Sequence, residues 1–144
     1  MVDHVLPKKR SAIMRAIRGK NTVPELIVRS AAHALGLRFR LHVGRLPGRP
    51  DLVFARWKTV VFVNGCFWHR HKGCNRCGTP KSNRAFWQRK FAQNVRRDAQ
   101  NYAALSALGW GVVVLWQCEV KTTDEAIRKL RPHFRDSQRR KLVP

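Results

Sequence analysis

The chain has 144 residues, enough for one domain with a real core, and sets 30 Lys+Arg against 8 Asp+Glu for a formal charge of +22. Such a field repels itself unless a polyanion balances it, so nucleic acid leads the candidate partners, ahead of an anionic membrane surface or ribosome packing. No apolar run approaches the roughly 20 residues of a membrane span and Met1-Val2-Asp3-His4 lacks a signal-peptide core, which sets the expectation of a cytosolic protein.

In chain order, residues 1–10 read as a basic arm, and Ser11 is placed to cap a short helix with Ile13, Met14 and Ile17 inward and Arg15 and Arg18 outward. Thr22-Val23-Pro24-Glu25 is a capping box with proline in the first turn, opening a helix to about Leu35 that Gly36 terminates. From Leu37 to Val43 the residues alternate, which predicts a half-buried strand with Arg38, Arg40 and His42 on a basic outer face. Leu46-Pro47-Gly48-Arg49-Pro50 forces a turn, after which Asp51 to Phe54 and Thr59 to Val63 read as strands. A loop rich in Cys and His runs to about Pro80, and a long helix from about Asn83 to Leu108 stops at Gly109. Trp110 to Trp116 is an apolar strand too continuous for a surface edge, Thr122 caps a last helix that Pro132 ends or kinks, and 137–144 form a basic tail. The order predicts an α/β fold: a mixed sheet flanked by helices, in a single domain over 1–144. Several folds share that order, so it says little about function.

The eight acids sort individually. Asp3 and Asp136 fall near the termini, Asp124 and Glu125 open a helix whose dipole they complement, and Glu119 reads as an exposed strand-end acid. Of the rest, Asp51 is held where a turn becomes a strand and is the best ligand for Mg²⁺, which wants hard oxygens. Glu25 is explained by its cap alone. Asp98 shares the inward stripe of Trp87, Phe91, Val95, Tyr102 and Leu105, where a carboxylate needs a partner. His69 and Arg97 both qualify.

Cys66-Phe67-Trp68-His69-Arg70-His71, followed by Cys74 and Cys77, concentrates thiols, imidazoles and aromatics behind an apolar strand, and Cys118 closes the last one. In a reducing compartment such a set points to tetrahedral zinc rather than disulfides. Cys66, His71, Cys74, Cys77 and Cys118 offer one ligand too many, so spacing alone leaves the set open. If His71 binds metal, His69 is left to take a proton from water beside a Mg²⁺-bound phosphate. Phe67, Trp68 and Trp87 suit wedging between base steps, whereas Phe86 is expected in the core.

Leu46-Pro47-Gly48-Arg49-Pro50-Asp51, Gly65-Cys66-Phe67-Trp68-His69-x-His71, Phe86-Trp87, Asn94-x-x-Arg97-Asp98, Gly109-Trp110 and Trp116-x-Cys118 together resemble the very-short-patch-repair (Vsr) DNA mismatch endonucleases over roughly residues 10 to 120. Ser11-x-x-Met14-x-x-Ile17 and Glu25 fit the start of the same family. The resemblance implies a restriction-endonuclease-like fold with a structural zinc site and a Mg²⁺-dependent nick in one strand at a T:G mismatch, the product of 5-methylcytosine deamination. It implies a catalytic set of Asp51, His69, Asp98 and Glu25: Asp51 holds the magnesium, His69 activates water, Asp98 orients His69 and Glu25 is a further acid. Val63 is expected to offer magnesium its backbone carbonyl, and zinc falls to Cys66, His71, Cys74 and Cys118, with Cys77 extra. Phe67, Trp68, Trp87, Arg15, Arg49 and Asn64 are the expected DNA contacts. Asn64 stands where the family often has histidine, and His69 replaces the lysine of the acid-x-lysine pair of ordinary restriction enzymes. The implied setting is a monomer in the bacterial cytoplasm, at the nucleoid, working on duplex DNA with other mismatch-repair proteins. Two alternatives remain: a related enzyme for another deformed or modified site, and a zinc-stabilised nucleic-acid-binding protein without catalysis.

Overall fold

The computed structural model describes residues 22–74 and 78–135. The basic arm, the expected helix after Ser11 with Arg15, the extra thiol Cys77 and the tail from Asp136 lie outside them. Helix α1, Val23–Ala34, begins as the capping box implies: Thr22 Oγ1 accepts from the Glu25 amide and Pro24 sits in the first turn. Leu35 caps it and Gly36, at φ 73°, turns the chain away. The strands follow as β1 (Arg40–Leu41), β2 (Leu52–Phe54), β3 (Thr59–Asn64) and β4 (Gly111–Trp116), with the long helix α3 (Arg84–Ala107) crossing between the last two. A single helical turn, α2 (Cys66–His69), stands where a loop was expected, and α4 (Thr123–Leu130) closes the described chain before a 3-10 turn at Pro132.

The sheet order is β1-β2-β3-β4, antiparallel for the first two pairings and parallel for β3 with β4, as a helical crossover requires. Strand period two sends alternate residues to opposite faces, and both faces are apolar. Leu52, Phe54, Val61, Val113 and Leu115 pack with Val28, Ala31 and Ala32 of α1 and Ala126 and Leu130 of α4. Val53, Val60 and Phe62 pack with Leu105 of α3 on the other side. The result is three layers with β2 and β3 innermost; truncating the fully buried Phe54 to alanine would cost about 3–5 kcal/mol. No helix among the described residues is long and apolar enough to cross a membrane.

Four expectations need correction. The strand expected over 37–43 shrinks to Arg40–Leu41, because His42 takes a left-handed φ of 48° and breaks the alternation. His42 therefore leaves the basic outer face and turns inward. β4, thought too apolar for an edge, is the terminal strand of the described sheet; its continuous hydrophobicity reflects coverage of both faces, with Val113 and Leu115 in one cluster and Val112 in the other. On α3 the inward stripe runs through Phe91, Asn94 and Leu105, while Val95 is 47% exposed. Phe86, expected in the core, is 52% exposed in the first turn of α3.

Candidate active site and thiol cluster

A cleft of about 770 Å³ opens where the C-terminal end of β3 meets the start of α1, the turn before β2 and one face of α3, and its lining includes Glu25, Arg49, Asp51, Asn64, His69 and Asp98. Asp51 gets there through the turn preceding it. Gly48 sits at φ 75°, and a Cβ on it would come within 3.0 Å of the Asn101 side chain, so only glycine lets this turn lie against α3. The Val63 amide on β3 donates to Asp51 Oδ2 at 2.7 Å and fixes the carboxylate across the strand pair. Burial pushes the Asp51 pKa up from 3.8 to about 7; the Val63 N–H and Arg29 pull it down, and neighbouring Glu25 pushes it further up. A carboxylate held this far from its preferred charge state is suited to bind a cation.

Glu25 exceeds its capping role. Its amide serves the cap, but its side chain is buried, paired with Arg29 one turn along α1 and 2.9 Å from His42 Nε2 through Oε1. Asp51 Oδ1 lies 3.9 Å from the same His42 nitrogen. One ligand atom from each of Glu25, His42 and Asp51 falls within 4.8 Å of the others, which brings together a donor set of two hard oxygens and one imidazole. His42 was missed in the sequence: alternation assigned it outward, and nothing in its neighbours signals a left-handed residue.

On the α3 side, His69 Nδ1 lies 2.6 Å from Asp98 Oδ2, both side chains partly buried. A carboxylate accepts, so Nδ1 carries the proton and Nε2 is left as an acceptor. The ion pair described for Asp98 is with His69, whereas the other candidate, Arg97, donates to Asn94 Oδ1 at 2.9 Å. Asn64, 4% exposed, lines the same cleft and donates from Nδ2 to the Tyr102 hydroxyl at 2.8 Å. Burial raises the Tyr102 pKa to about 12, the Asn64 contact lowers it, and the charges of Asp98 and Asp51 raise it further. Arg49 is exposed on the cleft lining, and Val63 lines the same cleft. Glu119 is tied into the fold, accepting from the Trp116 amide at 3.1 Å and pairing with Lys129 at 3.4 Å.

Phe67 and Trp68 on α2 and Trp87 on α3 are half-buried and gather around buried Phe91, with ring centroids 5.0 to 5.9 Å apart. Asn94 Nδ2 donates to the Trp68 carbonyl at 3.0 Å, and the Arg70 guanidinium lies 3.9 Å from the Phe91 ring. The aromatics are thus braced from behind, with Phe67 and Trp68 in the cleft lining.

Just behind α2, Cys66, His71, Cys74 and Cys118 place one ligand atom each within 4.8 Å of the others. His71 Nδ1 lies 3.8 Å from Cys66 Sγ and 3.3 Å from Cys118 Sγ, and its ring stacks on Trp116 at 4.3 Å. Burial pushes the Cys66 thiol up; burial first, then the other two thiols, push Cys118 up to about 11. Thiols crowded this way ionise readily only beside a cation, so three sulfurs and a nitrogen fit a tetrahedral soft-metal site.

A hard-donor cluster, an imidazole–carboxylate pair and an aromatic ridge share one cleft in a chain of charge +22, an arrangement suited to an enzyme that acts on a polyanion such as DNA. The family model described as DNA mismatch endonuclease Vsr matches residues 2–76. The "Type II nicking enzyme V.XorIIP" of Xanthomonas oryzae pv. oryzae is 47% identical over 131 residues, 91% of this chain and 96% of that one. The "Type II nicking enzyme V.NmeAIP" of Neisseria meningitidis is 43% identical over 84% of this chain and 86% of its own. The "DNA mismatch endonuclease Vsr" of Escherichia coli K12 is 40% identical over 122 residues, 82% of this chain and 78% of that one. The chain belongs to the Vsr family.

Proposed function

We propose that this protein nicks one strand of duplex DNA at T:G mismatches in very short patch repair, by Mg²⁺-dependent phosphodiester hydrolysis. The observation that carries the reading is the shared cleft: Asp51, pinned by the Val63 amide, and the His69–Asp98 pair line the same cavity. Asp51 would hold the Mg²⁺ with Glu25 beside it, and the hard carboxylate oxygens there fit that ion; when bound, it would neutralise charge developing on the phosphate. His69 accepts a proton at Nε2 from the attacking water while Asp98 keeps Nδ1–H oriented, general-base help worth about 10²–10⁴-fold. Phe67, Trp68 and Trp87 enter the base stack, where a mismatched pair costs less to open than a matched one. Arg15, Arg49 and the cationic surface bind the backbone, which makes affinity fall steeply with salt, and Asn64 is a further DNA contact through the cleft it lines. Cys66, His71, Cys74 and Cys118 hold a structural Zn²⁺ that fixes α2 and its aromatics.

The reading includes a single restriction-endonuclease-like domain over 1–144, acting as a monomer on the nucleoid of a bacterial cytoplasm alongside other mismatch-repair proteins. A second reading, nicking at another deformed or modified site, is favoured by relatives named as type II nicking enzymes. Labelled duplexes, matched and T:G, incubated with Mg²⁺ and the protein or its Asp51→Ala variant separate the two. Cleavage confined to T:G and lost by about a thousandfold in Asp51→Ala supports the first. Cleavage of both duplexes supports the second, and binding without cleavage removes catalysis altogether.

A further inference from the structure

Each acid of the cleft cluster is held on one oxygen and turns the other toward the same imidazole. Arg29 pairs with Glu25 Oε2, and the Val63 amide donates to Asp51 Oδ2. Glu25 Oε1 and Asp51 Oδ1 then lie 2.9 and 3.9 Å from His42 Nε2. For an octahedral cation with bonds of about 2.1 Å, neighbouring ligand atoms are about 3.0 Å apart and opposite ones about 4.2 Å. The first separation matches neighbouring ligands and the second falls a few tenths of an ångström short of opposite ones, so small side-chain shifts would complete the arrangement. A hydrogen-bond partner for Glu25 alone would account for the first distance and leave the second to chance. The backbone also departs from its pattern to supply this ring: at φ 48°, His42 leaves a strand whose alternation would carry it outward with Arg38 and Arg40.

We propose that His42 is a nitrogen ligand of the cleft cation, so that the site binds a divalent transition ion such as Mn²⁺ in addition to Mg²⁺. The proposal rests on the reading that Asp51 holds that cation. Imidazole donors favour transition ions, whereas Mg²⁺ prefers oxygen and keeps its water. With a transition ion, the Nε2–H that His42 donates to Glu25 gives its proton to water and Nδ1 takes one up, so the freed Nε2 lone pair binds the metal while Arg29 keeps hold of the other Glu25 oxygen. With Mg²⁺, His42 remains the partner of Glu25.

The test uses the full-length protein with its zinc retained, in wild-type, His42→Gln and Asp51→Ala forms, each checked for folding by circular dichroism. Mn²⁺ is titrated by electron paramagnetic resonance, its directly bound nitrogen is sought by pulsed methods, and Mg²⁺ affinity is read by competition. Glutamine can still hydrogen-bond Glu25 but supplies no imidazole. The expected result is nitrogen coupling in the wild type that disappears in His42→Gln, with Mn²⁺ affinity down about tenfold or more and Mg²⁺ affinity changed less than about threefold. Unchanged Mn²⁺ affinity and coupling in His42→Gln, or equal loss of both ions, overturns the proposal and reduces His42 to an anchor for Glu25. Retained Mn²⁺ binding in Asp51→Ala, with coupling still dependent on His42, leaves His42 a ligand and overturns instead the role given to Asp51.

Discussion

Two clusters hang from the same end of β3, and they are built in opposite ways. Cys66, His71 and Cys74 come from nine consecutive residues, and only Cys118 is brought from a distance, by the parallel pairing of β4 with β3. Glu25, His42 and Asp51 come from a helix, a left-handed residue after a two-residue strand, and a turn. The sulfur cluster has three sulfurs and an imidazole nitrogen facing one another, enough to fill a four-ligand shell; the oxygen cluster opens onto a cleft. One is suited to holding the fold, the other to acting on a phosphate.

That contrast can be tested by damaging each region separately. The largest effect belongs to the cleft: His69→Ala should slow single-turnover nicking by about 10²–10⁴-fold while the thermal midpoint stays near wild type. Asp98→Asn, which keeps the shape but removes the negative charge facing Nδ1–H, should slow it less. A large loss of midpoint in His69→Ala would mean that the cleft is also structural. Next comes Cys118→Ser, which should destabilise the fold by about 2–4 kcal/mol and release zinc to a chelating dye, with activity following the folded fraction. Zinc retained in that variant would remove Cys118 from the ligand set. The most gradual effect is a slope. Because burial raises the folded Asp51 pKa from 3.8 to about 7, the folded state binds that proton more tightly than the unfolded chain. Stability of Mg²⁺-free protein should therefore be greatest below pH 3.8 in this one contribution, decline by at most about 1.4 kcal/mol per unit up to pH 7, and level off above. Denaturant melts with and without Mg²⁺ measure this, and the decline should flatten when the ion is present.

The sequence exposed what local rules govern. The cap at Thr22, the breaks at Gly36 and Gly109 and the apolar runs of β3 and β4 are written in neighbouring residues, and the structure follows them. Asp98 was legible because a charge on an inward stripe demands a partner, and His69 is there at 2.6 Å. Val95 misled because periodicity measures direction around a helix and not whether anything packs there, and Phe86 because an aromatic was given to the core by type alone; α3 begins beyond the edge of the core. His42 was invisible for a deeper reason. One positive φ inverts the side of the chain on which a residue lies, and no spacing rule encodes it.

The hydrogen bond from the Val63 amide to Asp51 has one more consequence. It exists only in the register that sets Leu52 opposite Val61; sliding β2 by a single residue flips its side chains to the other face and carries the carboxylate away from that amide. The pairing of two short strands thus sets where the carboxylate stands, and Asp51 takes its place only in a correctly paired sheet.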